Sequence, residues 1–208
     1  MAGNLVEQLL VLEEEQVLAD IRESLEKGED PLALVEALRE GMTLVGKSFE
    51  DKEYFLSELI MSAEIFKEAI ALIEPHLGSD AGPSRGKVVV GTVKGDIHDI
   101  GKNIVVTLLR CDGFEVYDLG VDVPPEVFVS KLNETGATLL GLSGLLTFAF
   151  DSMKETVDSL VEAGMRDEVK VIIGGGPVNE KVVEFAGADA YGVDAAHAVK
   201  LAVQYVVA

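Results

Sequence analysis

Through residues 4–77 apolar positions recur at helical spacing, as at Leu34, Leu38, Met42 and Val45, and no stretch has the pattern of a strand. The periodicity predicts helices near 4–12, 14–27, 31–48 and 54–77. Asp30-Pro31 is a helix start, a capping carboxylate followed by proline at the first helical position, and Gly28 closes the helix before it. Beyond residue 86 the pattern changes. Short continuous apolar runs near 87–93, 114–118, 138–143, 169–174 and 189–192 alternate with amphipathic stretches, which predicts parallel strands buried on both faces, each followed by a helix.

Between the two halves lies Gly78-Ser79-Asp80-Ala81-Gly82-Pro83-Ser84-Arg85-Gly86, small and polar, the composition of a flexible connection. The expected organisation is a four-helix bundle over 1–77, a linker over 78–86, and a doubly wound α/β domain over 87–208. That domain would be Rossmann-like, in the flavodoxin-like variant, with a five-stranded parallel sheet. Ligands of such sheets bind beyond the carboxyl ends of the strands, where strand order reverses. Three loops therefore carry the functional interest: Lys94 to Gly101, Ser143 to Thr147, and Gly174-Gly175-Gly176-Pro177.

Composition narrows the classes of partner. With 48% hydrophobic residues and a mean hydropathy of +0.27, the 208 residues can build one large core or two smaller ones. The balance of 17 basic against 37 acidic residues gives −20, a field that repels phosphate backbones and anionic lipid surfaces and argues against nucleic-acid and membrane partners. The most apolar stretch, Ala137 to Phe150, is too short to span a bilayer and is broken by Gly141, Ser143 and Gly144. Met1-Ala2-Gly3-Asn4-Leu5 shows no export signal, and a lone Cys111 cannot form an internal disulfide, so a reducing cytoplasm is the expected location. Cys111 itself reads as a small buried apolar residue.

The chemistry centres on Asp96-Ile97-His98-Asp99-Ile100-Gly101, which follows the first strand. Asp96 can accept a hydrogen bond from one ring nitrogen of His98, fixing the tautomer and leaving the other nitrogen as a basic lone pair for a metal. The same pair could be an ordinary loop histidine with no special role. One imidazole is too few for a closed zinc site, and neither His76 nor His197 has a ligand motif around it. A lone imidazole suits a metal already held by a macrocycle. The triple glycine after the fourth strand permits close backbone approach to a ligand and could also hold a phosphate. Neither Gly-x-Gly-x-x-Gly nor Gly-Lys-Ser/Thr is present in the first loop, which argues against nucleotide binding.

Taken together, Asp96-x-His98-x-x-Gly101, Ser143-x-Leu145 and Gly174-Gly175 resemble the cobalamin-binding signature of corrinoid-dependent methyltransferases and mutases. The intervals of 41 residues from Gly101 to Ser143 and 28 from Leu145 to Gly174 match that family's pattern. A helical bundle ahead of this domain is similar to the cobalamin module of methionine synthase and to the small corrinoid proteins of anaerobic methyltransferase and O-demethylase systems. The resemblance implies a cobalamin or related cobamide, bound with its nucleotide base off cobalt and His98 as the lower cobalt ligand. It implies contacts from Gly95, Asp96, Ile97, His98, Asp99, Ile100 and Gly101, from Ser143, Leu145 and Thr147, from Gly174 and Gly175, and from the backbone at Ala195. Asp96 and His98 would be the functional pair. Along Phe49-Glu50-Asp51-Lys52-Glu53-Tyr54-Phe55-Leu56 it implies that the bundle caps the corrin, with Phe49, Leu56 and Leu59 as apolar lid residues or, equally, as bundle core.

The implied function is that of a methyl carrier rather than a free-standing enzyme. One methyltransferase would load it, with aryl methyl ethers, methanol, methylamines and glycine betaine as open donors and the first of these weakly preferred. A second would unload it to tetrahydrofolate or a thiol, and a reductive activator would restore Co(II) protein. The 78–86 connection would serve as hinge. A cobalamin-dependent sensor and the small subunit of an adenosylcobalamin mutase are the other readings of the signature. One position departs from it: a serine that hydrogen-bonds the aspartate in methionine synthase falls on Ala149, so a dyad rather than a triad is expected.

Overall fold

The computed structural model describes residues 2–76 and 84–207, so most of the expected 78–86 linker lies outside the described residues. The chain divides into two compact units, Met1–Pro83 and Ser84–Ala208.

The first unit is helical: α1 (Ala2–Leu10), α2 (Glu14–Glu26), α3 (Pro31–Glu50) and α4 (Leu56–Ile73), closed by a 3-10 turn at Glu74–His76. Leu9, Val17, Ile21, Leu34, Leu38, Val45, Ile65, Ala69 and Ile73 are buried, at the helical spacing visible in the sequence. Asp30 caps α3 by accepting the Leu32 N–H at 3.1 Å. Helix α4 starts later than the pattern suggests, because Glu58 reaches back to accept the Phe55 N–H at 2.9 Å and fixes the first turn there. Its end tightens where Pro75 cannot donate into an α-helical turn.

The second unit alternates β1 (Lys87–Thr92), α5 (Ile100–Cys111), β2 (Glu115–Asp118), α6 (Pro125–Thr135), β3 (Leu139–Ser143), α7 (Ala149–Glu162), β4 (Lys170–Gly174), α8 (Glu180–Ala186), β5 (Ala190–Gly192) and α9 (Ala195–Val207). All four strand pairings are parallel and the order is β2-β1-β3-β4-β5, the flavodoxin-like arrangement. Alternate strand residues feed two cores. Val89, Leu140, Leu142, Val171 and Ile173 pack with Phe128, Met153, Leu160 and Val183 from α6, α7 and α8. Val88, Val90, Leu139 and Ile172 pack on the other face with Val106, Leu109 and Ala202 from α5 and α9. Strand order reverses between β1 and β3, so the crevice between their following loops is the topological switch point. No helix among the described residues is long and apolar enough to cross a membrane.

Candidate functional site

The site begins where β1 runs out of ladder. Asp96 N donates to the Val93 carbonyl at 3.1 Å, closing a turn whose third residue, Gly95, has φ +84°, as a type II turn requires. That turn puts Asp96 inside and His98 at the rim: the Asp96 side chain is fully buried and the His98 side chain is 46% exposed. Asp96 Oδ1 accepts the His98 main-chain N–H at 3.0 Å and lies 2.6 Å from His98 Nδ1. Its other oxygen accepts the main-chain N–H groups of Leu145 at 2.7 Å and Leu146 at 3.1 Å. Burial alone would raise the carboxyl pKa, but these four donors outweigh it and hold it down at about 2. An ionised acceptor at Nδ1 keeps the proton on that nitrogen, so Nε2 carries the lone pair. Nε2 has no hydrogen-bond partner among the described residues. The buried hydroxyl of Thr92 donates to the His98 carbonyl at 2.9 Å and steadies the residue from below.

The other expected residues fall at the same edge of the sheet. Ile97 and Ile100 are largely exposed, Asp99 accepts the Asn103 side-chain amide at 3.2 Å, and Gly101 lies in the first turn of α5. Ser143 ends β3 and its carbonyl accepts the Val93 N–H, while Leu145 and Thr147 are exposed in the loop that follows. Gly174 ends β4 and accepts the Gly144 N–H at 3.0 Å, with Gly175 next to it. Ala195 opens α9 beyond β5. Phe49, Leu56 and Leu59 belong to the helical unit instead: Phe49 is half-buried near the end of α3, Leu56 is exposed at the start of α4, and Leu59 is buried one turn later. At Ala149 no hydroxyl is available, and the main-chain donors of Leu145 and Leu146 fill the lone pairs of Asp96. Leu146, Thr92 and Asp122, whose carboxylate accepts the Gly95 N–H at 2.7 Å, are the residues around this loop that sequence reasoning missed. They act on main-chain groups or through them, which leaves no spacing signature.

Glycines show where a ligand could fit. A Cβ on Gly175 would lie 1.9 Å from the Gly144 carbonyl oxygen, and one on Gly144 would lie 2.7 Å from the Ala149 Cβ, so packing demands glycine at both. A Cβ on Gly101 or Gly174 would meet nothing within 4 Å, and neither residue has positive φ. Protein packing gives no reason for glycine there; a bound group approaching the backbone does. Around them Ile97, Ile100, Leu145, Leu146, Phe148 and Val193 expose apolar side chains, more than a solvated edge needs. Among the described residues no group of three or more His, Cys, Asp or Glu side chains could hold a metal ion. One imidazole with a free lone pair, an apolar rim and glycines with open space at Gly101 and Gly174 fit a metal that arrives in its own macrocycle, and so fit a corrinoid.

Comparison with known proteins agrees. Two family models, each described as a B12 binding domain, match residues 86–200 and 2–74. The chain is 36% identical over 204 residues to dimethylamine corrinoid protein 1 of Methanosarcina mazei, covering 98% of this chain and 94% of that protein. A cobalamin-binding protein from Desulfitobacterium hafniense superposes with a TM-score of 0.86 at 41% identity, covering 100% of this chain and 99% of the other. A chain of the methanol:cobalamin methyltransferase complex from Methanosarcina barkeri superposes with a TM-score of 0.84 at 34% identity, covering 98% of this chain and 78% of that one. The matches cover the helical unit and the α/β unit alike: the chain is a member of the family of B12-binding corrinoid proteins.

Proposed function

We propose that this protein is a methyl carrier, binding its cobamide with the nucleotide base displaced and His98 as the lower ligand, and serving two methyltransferases in turn. The observation that carries the reading is the Nε2 lone pair of His98, held ready by Asp96 at Nδ1. When bound, the corrinoid supplies the methyl-accepting and methyl-donating chemistry at cobalt. The protein's part is control. Asp96, kept ionised by its four donors, fixes the tautomer and the orientation of the His98 ring. Gly101, Ser143, Leu145, Gly174, Gly175 and Ala195 line the way for the displaced tail, and Ile97, Ile100 and Thr147 meet the macrocycle edge. Phe49, Leu56 and Leu59 would shield the reactive face as a lid.

The presence of both B12-binding units supports a carrier over a mutase subunit, and the names of the relatives support methylated amines as the donor class. The methanol:cobalamin complex adds methanol as a second donor class, and aryl methyl ethers stay in the test as the donor suggested by the sequence resemblance alone. Tetrahydrofolate or a thiol is the acceptor, and a reductive activator rescues oxidised protein. The test is to load the protein with cobalamin, reduce it, and present it with donor methyltransferases for methylamines, methanol and aryl methyl ethers, each with its substrate. Methylation by the amine system supports the reading. Failure with all three overturns it.

A further inference from the structure

The loop after β2 reaches the Gly95–Asp96 segment of the His98-bearing loop through Asp122. Asp122 Oδ1 accepts the Gly95 N–H at 2.7 Å, and Asp122 N donates to the Asp96 carbonyl at 2.9 Å. These two bonds bracket the two residues that end in the buried carboxylate. Asp122 itself has φ +53°, left-handed space that aspartate and asparagine tolerate better than other non-glycine residues. It is exposed, so core packing does not explain it. Its neighbour Val123 is already fixed by donating to the Thr92 carbonyl at 3.0 Å and by a parallel bridge to Val93. The Asp122 contacts therefore act on the 93–96 turn beyond what joins the strands.

Type I and type II turns differ by a flip of the peptide between their two central residues. Here that is the Lys94–Gly95 peptide, and its N–H is the group that Asp122 captures. Asp96 Oδ1 in turn holds both the main chain and the ring of His98. Resting on the proposal that His98 ligates cobalt, we propose that Asp122 is a positioning residue for that ligand: it locks the turn that aims Asp96, and Asp96 aims the imidazole. Without it the peptide can flip, the carboxylate loses its register, and His98 samples other orientations.

Protein labelled with heavy-isotope histidine separates this from a structural role. In the Co(II) form loaded with cobalamin, a histidine ligand gives a doublet nitrogen splitting in the electron paramagnetic spectrum, whereas the cofactor's own base gives a triplet. Asp122→Asn keeps both the acceptor and the left-handed φ and retains the doublet. Asp122→Gly keeps the φ without the acceptor; the ratio of histidine-bound to unbound cobalt falls about fivefold, the worth of one hydrogen bond. In cofactor-free protein, nitrogen shifts of the His98 ring show a single tautomer in the wild type and in Asp122→Asn, and a mixture in Asp122→Gly. Asp122→Gly protein with a wild-type splitting ratio and a single tautomer overturns the proposal. Absence of the doublet from the wild type overturns the ligand assignment of His98 instead, and the cofactor-free ring shifts still judge Asp122.

Discussion

Asp96 and His98 are joined twice through a single oxygen: Oδ1 takes the main-chain N–H at 3.0 Å and faces Nδ1 at 2.6 Å. The ring cannot turn without giving up one of these while the main chain keeps the other. The second oxygen ties the same carboxylate to the loop after β3. One buried side chain thus holds two loops of the switch-point crevice together.

Asp96→Asn should damage the fold as well as the site. The new amide nitrogen cannot accept, so one pair of N–H donors loses its partner in a buried setting, at about 2–4 kcal/mol. Urea unfolding of cofactor-free protein measures the loss, and hydrogen exchange should quicken at the Leu145 and Leu146 amides or at the His98 amide, whichever pair faces the new nitrogen. Unchanged exchange there would mean that the carboxylate does not tie the loops.

Glycine substitutions should sort into two kinds. Gly175→Ala sets a methyl against the Gly144 carbonyl at positive φ and should lower the stability of cofactor-free protein severely. Gly101→Ala should leave it unchanged or raise it by about 0.5–1 kcal/mol, since alanine suits a helix better, and Gly174→Ala should be close to neutral. Both of the latter should nevertheless weaken cobalamin binding, measured by spectral titration. Wild-type affinity in both would mean that the open space does not take the cofactor.

The lid residues should separate in the same manner. Leu59→Ala empties a buried position and should cost about 2–4 kcal/mol in thermal or urea unfolding. Leu56→Ala removes an exposed side chain, changes stability by at most about 0.5 kcal/mol, and should speed photolysis of the methylated protein. If photolysis responds to neither Leu56→Ala nor Phe49→Ala, the lid assignment fails.

Acid should weaken the helical unit through Asp20. Its carboxylate accepts from the side chains of Gln8 at 2.9 Å, Gln16 at 2.7 Å and Asn4 at 3.2 Å, and these hydrogen bonds lower its pKa below the ordinary 3.8. The unfolded chain therefore takes up the proton first as pH falls. The stabilisation is complete above 3.8 and disappears as pH drops through the lower folded value. Asp20→Asn should flatten the pH dependence of the urea midpoint below about pH 4. An identical slope in the variant would exclude Asp20 as its source.

Much of this was legible in the sequence because apolar runs and helical spacing report burial directly. The strands at Val88–Val90, Leu139–Leu142 and Val171–Ile173 are continuous because both faces are covered, and the doubly wound fold follows. Asp96, His98, Gly101 and the Gly174-Gly175 pair stand out in the sequence because a family spacing marks them, and the structure sets them at the carboxyl end of the sheet. The bonds from Leu145 and Leu146 to Asp96 could not, since every residue but proline owns an N–H and only the fold decides where it points. Asp122 was hidden for the same reason, its partners being the amide of Gly95 and the carbonyl of Asp96. The late start of α4 turned on one glutamate reaching back three residues, a local competition that periodicity does not resolve.

The contact of Gly175 with the Gly144 carbonyl has a practical meaning for anyone wishing to redesign this protein. Two loops meet there backbone to backbone, so Gly144 and Gly175 offer no side chain to exchange, and enlarging either has no route through single substitutions. Variation near this seam has to come from residues whose side chains stand clear of the Gly144–Gly175 contact itself. Ile97, Ile100, Leu145 and Val193 are the positions from which a library should start.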